Sequence, residues 1–506
     1  MMQTALQRTP HRAARALLAA LACLVLAPLA QAQTPDYEHK YEVEMAGQTA
    51  GEMTVTQQTE GDEITTTMSM RFELNRGATG LTISMGSEFV ESTRGEPIRM
   101  VTEQALGTMP TSITYVWKED GITAVSSQGG QAMTNELPLP EGAWLTPSAA
   151  AAYVKARLAA GAESITVRTI EPTSDPTPIV VTRTDFEPTT IEIEGKQVPV
   201  TKCRATSSAS PGAASTEYID AAGMPVRSEI AMGGLSVVMT RTSGDVVIAA
   251  ELAPELMVST FVSPDRPIKN PRGTRRAIYR LSANAGERPS LPGTNVQHVK
   301  PDGDDAVRVL VDMNERTAAD AGDINDADFL AATSTCNHSD ELIVSLTAGA
   351  LDGIVGQVEQ AEALRRFVHS YINAKNLGVG FATASEVART RSGDCTEHGV
   401  LLAAMLRAAG IPSRTAAGLV YADQFAGAES VFAYHMWTQA LLPIGDTMTW
   451  VDLDATLPDA TPFDATHIAL GLSDLGDGAV DAGFMSIASL LGTLKIEVET
   501  IEWADE

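Results

Sequence analysis

The chain has 506 residues, 44% of them hydrophobic, and its 64 Asp and Glu outnumber 36 Lys and Arg to give a formal charge of −28. That length supports two or three domains with their own cores. The acidity excludes nucleic acid and anionic membrane surfaces as natural partners, because both are held by clustered cations.

At the N-terminus, Arg8, Arg12 and Arg15 precede the apolar run Ala16 to Pro28, and Ala30-Gln-Ala32 supplies small residues. Residues 1–32 therefore read as a secretory signal peptide cleaved after Ala32. Cys23 raises the alternative of a lipid anchor. Against it, Ala20 stands where a lipoprotein leader usually carries Leu, and the apolar run continues past the Cys. The run is also short for an uncleaved membrane anchor. Cleavage removes three Arg and no acid, so −28 becomes −31. The mature chain is expected to be periplasmic or extracellular, with no strong membrane association.

Residues 33–255 are dense in short alternating runs, among them Tyr41 to Met45, Glu63 to Phe72, Ser112 to Trp117, Thr190 to Glu194 and Leu235 to Met239, punctuated by Gly, Asn and Asp. This pattern predicts an antiparallel β domain. One short helix is expected near Ser148 to Ala160, started by Pro147. No polar constellation there suggests chemistry, so its expected role is scaffold or substrate binding. Residues 256–344 read as a β extension or linker domain with strands at Arg276 to Leu281 and Ala306 to Val311. In the remainder, 345–506, Leu364, Phe367, Val368, Tyr371 and Ile372 recur at helical spacing and predict an amphipathic helix near Val358 to Asn373. The Asp- and Gly-containing stretch after Leu472 reads as surface loop.

Chemistry concentrates between 391 and 456. Cys395 follows Gly393-Asp394 and opens the Leu-, Ala- and Met-rich run Thr396 to Ala409, which closes on Gly410-Ile-Pro412. That is a helix with a Gly stop. Asp394 and Glu397 have the spacing of a capping box, and the interior, Val400 to Leu406, is apolar on every face and so belongs inside a domain. A thiol at a helix N-terminus is expected to ionise more readily than a free one. His435 lies in the strand-like run Val431 to Leu442. A turn at Pro443 to Asp446 and a second run, Thr447 to Asp454, follow. Adjacent antiparallel strands would bring His435 to Asp452 or Asp454, and a two-residue period leaves both on one face. Cys395, His435 and a carboxylate then form a nucleophile–base–orienter set. His398, one turn after Cys395, either tunes the thiol or is a core or helix-surface histidine. Trp437 and Trp450 either wall the cleft or fill the core. Zinc on Cys395, His398, His435 and Asp454 is disfavoured by the lack of a second Cys and of paired-ligand spacing.

Ser392-Gly-Asp-Cys395-Thr-Glu-His398, Leu401 to Arg414, Tyr434-His-Met-Trp437 and Trp450-Val-Asp-Leu-Asp454-Ala-Thr456 together resemble the transglutaminase-like superfamily core in its bacterial branch, over about residues 345 to 470. The family's cysteine falls on Cys395, its histidine on His435 and the aspartate of its W-x-x-x-D-P-T type signature on Asp454, with Ala455 replacing the proline. The resemblance implies a papain-like α+β domain behind the N-terminal antiparallel β region, making the whole chain α+β. It implies a Cys395 acyl-thioester formed from amide bonds of proteins or peptides, with no cofactor and no metal. Family members include cross-linkers, proteases, amidases and members without activity. Hydrolysis, as in a protease or amidase, ranks ahead of cross-linking, because a cleft open to water needs shielding to prefer an amine; a silent scaffold is the third reading. Cys395 N–H is one expected oxyanion donor. Arg391, just before the helix, reads as a loop residue. The exported chain retains Cys203, Cys336 and Cys395. The first two either form a disulfide or remain buried thiols.

Overall fold

The computed structural model describes residues 35–504, apart from 77–78, 106–109, 129–130, 210–213, 233–234, 249–252, 256, 284–287, 376–381, 477–486 and 488–489. The signal peptide expected at 1–32, and most of the surface loop expected after Leu472, lie outside the described residues. No helix among the described residues is long and apolar enough to cross a membrane.

Alternating Thr, Val, Ile and Met build one large antiparallel sheet. Its first eight strands form a meander: β1 (Tyr37–Met45), β2 (Gln48–Glu60), β3 (Glu63–Arg76), β4 (Thr79–Ser92), β5 (Pro97–Ala105), β6 (Thr111–Trp117), β7 (Ile122–Gln128) and β8 (Gln131–Leu137). Helix α1 (Pro147–Ala159) follows, and then a second meander: β9 (Ser164–Ile170), β10 (Pro178–Ile193), β11 (Lys196–Ser207), β12 (Ala214–Ile219), β13 (Pro225–Met232) and β14 (Leu235–Thr242). β14 pairs with β1, which joins the two meanders into fourteen strands. Ile170 at the end of β9 packs with Phe89, Met100, Tyr115 and Ile122 of β4 to β7, so the sheet curls until its two ends share one apolar cluster. α1 starts at Pro147 as its sequence predicts, and Glu91 of β4 ties it down by accepting from Thr146 Oγ1 at 2.9 Å and Ser148 N at 3.1 Å.

The rest of the chain is layered. β15 (Thr274–Ala283), β16 (Gln297–Asp302) and β17 (Ala306–Asp312) come first, followed by α2 (Glu341–Ala350), α3 (Gln357–Tyr371), α4 (Ala384–Thr390) and α5 (Cys395–Ala408). Then come β18 (Ser413–Phe425), β19 (Ala428–Ile444), β20 (Thr447–Leu453), β21 (His467–Ser473) and β22 (Leu494–Trp503). A four-stranded sheet in the order β20–β19–β18–β21 forms the middle layer. Helices α2 to α5 cover one face, through a core that runs from Ile343, Leu364 and Val387 to Met436 and Leu442. A second sheet, ordered β16–β17–β15–β22, covers the other through Tyr279, Val309, Leu419, Phe432 and Ile468. The C-terminal strand β22 therefore completes the sheet begun by β15, a pairing that local sequence patterns do not reveal.

α5 is buried from Glu397 to Arg407, as its all-round apolarity requires. α3 buries Leu364 and Val368, while Phe367 and Tyr371 stack on each other at 5.2 Å. Cys203 in β11 and Cys336 ahead of α2 are both buried and are not joined to each other, so the disulfide alternative is not realised. Burial pushes the Cys203 thiol up to about 12.

Candidate active site

The helix that Cys395 opens begins as its sequence dictates. Asp394 accepts from Thr396 N at 3.0 Å, and Glu397 reaches back to accept from Asp394 N at 2.8 Å, completing the capping box. Gly393 adopts φ 152°, and a Cβ there would collide with the Glu397 side chain, so glycine is needed where the chain turns into the helix. Glu397 also accepts from Ala382 N at 3.0 Å. Burial, reinforced by Asp394, raises its carboxyl to about 8, so it is protonated at neutral pH.

The Cys395 thiol is shifted against ionisation, opposite to what its place at the helix start predicts. The residue is half-buried, but burial of its thiol and the Asp394 carboxylate next to it raise its pKa well above the ordinary thiol range. The Met436 N–H and the Arg76 guanidinium pull the other way without prevailing. The helix terminus favours thiolate, but desolvation and a like charge outweigh it.

Tyr434-His435-Met436 in β19 runs beside the start of α5. His435 Nε2 lies 2.8 Å from Asp454 Oδ2. With Nε2 committed to the carboxylate, Nδ1 is the ring nitrogen left for proton transfer. Asp454 falls just past the end of β20, which breaks the alternation that left Asp452 and Asp454 equivalent. Asp452 points elsewhere and accepts from Trp437 Nε1 at 2.8 Å and Gln439 Nε2 at 2.7 Å. Asp454 Oδ1 accepts from Thr456 N at 2.8 Å and Thr456 Oγ1 at 2.6 Å, which explains the Thr of the signature. Helix α3 fixes this loop from below: Arg365 Nη1 donates to Leu457 O at 3.0 Å, and His369 Nδ1 lies 3.1 Å from Ala455 O.

A residue that sequence reasoning missed completes the set. His467 Nε2 in β21 lies 3.3 Å from the same Asp454 oxygen, and its Nδ1 lies 3.5 Å from Asp464 Oδ1. Arg272 Nη1 pairs with Asp464 Oδ2 at 2.6 Å. Burial alone would lower His467, yet Asp464 and Asp454 raise it to about 9. Burial would likewise raise Asp454, but His435 and His467 hold it well below the usual carboxylate range. Charge therefore alternates along Asp454–His467–Asp464–Arg272, and His435 meets the Asp454 end of that row. Asp464-Ala-Thr466 repeats Asp454-Ala-Thr456, and Thr466 N and Oγ1 bind Asp464 Oδ1 as Thr456 binds Asp454. That repetition, followed directly by His467, was the available sequence signal. Gly418, opposite His435 in the register, leaves room for Ile468 O to approach, which draws β21 and His467 inward.

His435, Asp454 and His467 offer ligand atoms within 4.8 Å of one another, but a protonated His467 cannot ligate a cation and both histidines already share one carboxylate oxygen. The trio is better suited to hydrogen bonding than to metal binding. His398 is buried at 2% exposure; its Nδ1 lies 2.5 Å from Asp394 O, and burial lowers its pKa to about 4, so it is a neutral ring. Trp437 and Trp450 are core residues, the latter with Nε1 2.8 Å from Asp323 and Arg414 stacked on its ring. Arg391 donates to Tyr371 O and lies over the Tyr371 ring.

Cys395, His398, His435 and Thr456 line one cleft of about 710 Å³, whose other walls are mostly apolar. Residues 341–455 of the chain match the Transglutaminase-like superfamily. Three solved structures are similar over part of the chain. A beta-barrel-like protein of a domain of unknown function from Brucella abortus is 11% identical, with 42% of this chain and 98% of that one covered, at a TM-score of 0.32. A protein of Cytophaga hutchinsonii provisionally named a cysteine protease is 14% identical, covering 45% and 85%, at 0.27. The periplasmic domain of TgpA from Pseudomonas aeruginosa, bound to ethylmercury, is 16% identical, covering 37% and 91%, at 0.24. No curated protein matches the chain. The family match ends at Ala455, before His467, and within its bounds the chain carries a transglutaminase-like superfamily core.

Proposed function

We propose that the protein is an exported thiol hydrolase that cleaves amide bonds of proteins or peptides through a Cys395 acyl-thioester. The observation that carries this reading is the His435 ring, held 2.8 Å from a buried Asp454, in the cleft that also contains Cys395. Because burial and Asp394 keep the thiol protonated at rest, His435 acts as general base during attack. The sulfur bonds to the carbonyl carbon as its proton passes to the imidazole, and charge develops on the carbonyl oxygen near the start of α5, where Cys395 N–H is the expected donor. The imidazolium, stabilised by Asp454, then protonates the leaving nitrogen as the C–N bond breaks. Water attacks the thioester carbonyl as His435 takes its proton; the C–S bond then breaks and the imidazolium returns the proton to sulfur, releasing a carboxylic acid and restoring the thiol.

Incubation with casein and a fluorescent primary amine separates the outcomes. Wild type is expected to yield new peptide fragments with no amine incorporated, and Cys395→Ala to yield neither. Amine incorporation would turn the assignment to transamidation. An inert wild type whose Cys395 also fails to take an acetyl group from p-nitrophenyl acetate would leave only a scaffold.

A further inference from the structure

One wall of the cleft does not belong to the transglutaminase-like core. Leu74 and Arg76 at the end of β3, and Leu81 and Ile83 at the start of β4, line the same cavity as Cys395 and His435. The end of β3 is fixed in place. Arg76 Nη2 lies 2.7 Å from Asp394 Oδ2, an ion pair made to the residue before the nucleophile. Asn75 N and Nδ2 donate to Pro254 O and Ala253 O, both at 2.8 Å. The chain leaving that point then pairs with the strand that carries His435, through Val262 N to Phe432 O at 3.0 Å and Phe432 N to Val262 O at 2.8 Å. One short segment thus stitches the hairpin to β19.

From the core side, Phe261 and Phe425 complete the apolar lining, with rings 5.7 Å apart; Phe425 keeps 39% exposure. Arg76, the cation of the hairpin wall, is already engaged by Asp394, and Lys375, the other cation lining the cavity, is exposed to solvent. We propose that the end of the β3–β4 hairpin is the specificity wall of the site, admitting substrates whose residue at the scissile carbonyl carries a large apolar side chain. This rests on the acyl-thioester reading above and assigns the N-terminal sheet a direct part in substrate choice. The cavity falls in the size range of ligand sites, and full burial of a Leu-sized side chain against such a wall favours it over Gly by about tenfold or more.

The test uses N-acetyl-leucyl, N-acetyl-glycyl and N-acetyl-glutamyl chloromethyl ketones, with labelling of Cys395 in the full exported chain followed by mass spectrometry. Each forms a C–S bond and releases chloride, the thiol proton passing through His435 to solvent. The leucyl reagent is expected to label at least about ten times faster than the glycyl one, with the glutamyl reagent slowest. Ile83→Ser should shrink the leucyl preference while a cooperative melting transition is retained. Ile83→Lys should raise the glutamyl rate above the leucyl rate, a gain that unfolding cannot produce. Equal rates for all three reagents on wild type, a glutamyl preference, or ratios unmoved by Ile83→Lys would overturn the wall while leaving His435-dependent labelling, and so the acyl-thioester reading, intact. Labelling that does not depend on His435 at all would overturn both.

Discussion

The two sides of the cleft handle charge in opposite ways. Around the sulfur, the groups other than the Arg76–Asp394 ion pair are driven neutral: burial raises Cys395 and Glu397, the latter to about 8, and lowers His398 to about 4. Around the imidazole they are driven to ionise: Asp454 is held well below its usual range, His467 is raised to about 9, and Asp464 is lowered despite burial through its contacts with His467 and Arg272. Both sides are buried, so desolvation cannot be the difference. Charge order is. On the thiol side two carboxyls, Asp394 and Glu397, stand next to each other, and one must stay protonated; on the imidazole side cations and anions alternate, so each burial cost is offset by a partner. The difference shows that the His435 ring is held against a row of paired charges, whereas Cys395 is kept on the thiol side of its equilibrium by burial and by Asp394.

The sharpest way to break that comparison is Asp454→Asn, which removes the anion that both histidines share. Turnover of p-nitrophenyl acetate is expected to fall by roughly 10³- to 10⁴-fold, since a triad whose orienter is lost keeps the wrong tautomer. Loss of less than tenfold, measured by nitrophenolate release, would mean that the ring is positioned by something else.

His467→Gln comes next and probes the charged side through stability. A histidine raised from 6.5 to about 9 on folding binds its proton more tightly in the native state. Its contribution is therefore complete below pH 6.5 and is lost as pH rises from there through 9. Its size is on the order of 3 kcal/mol, less whatever the buried network relaxes. Denaturant midpoints of wild type are expected to fall across that window more steeply than those of His467→Gln. Parallel curves for the two proteins would show that His467 is neutral in the native state.

What local sequence could reveal follows from what is encoded locally. The capping box of Asp394 and Glu397, the apolar body of α5, and the Trp–Asp–Thr signature around Asp454 each lie within a few residues of the atoms they position, so Cys395, His435 and Asp454 were legible together. His467 was not, because its approach depends on β21 pairing with β18 across a bulge at Ala417 and Gly418. Arg76 was still less so: 318 positions separate it from Asp394, and only the stitching of Asn75 to the segment before Val262 brings them together. The direction of the thiol's shift is hidden from the sequence for a related reason. The helix terminus is visible in sequence, but the burial that overrides it is a product of packing. β22 repeats this lesson for the fold, since its partner β15 lies some 220 residues earlier.

Arg76→Met gives the smallest expected effect and tests the neutral side. Arg76 is the cation that opposes Asp394 near the sulfur, and it is partly exposed, which weakens it by solvent screening. Without it, only the Met436 N–H is left to oppose burial and Asp394, and the thiol pKa moves further up. Iodoacetamide labelling of Cys395 at pH 7 is then expected to slow by about fivefold, the rate equivalent of about 1 kcal/mol, and the labelling profile should move to higher pH. Arg76→Lys should restore most of the rate, because a cation at that place matters more than the guanidinium fork. If Arg76→Met instead speeds labelling, the hairpin hinders access to the sulfur more than its charge assists ionisation. The neutral thiol side would then be governed by steric cover rather than by electrostatics.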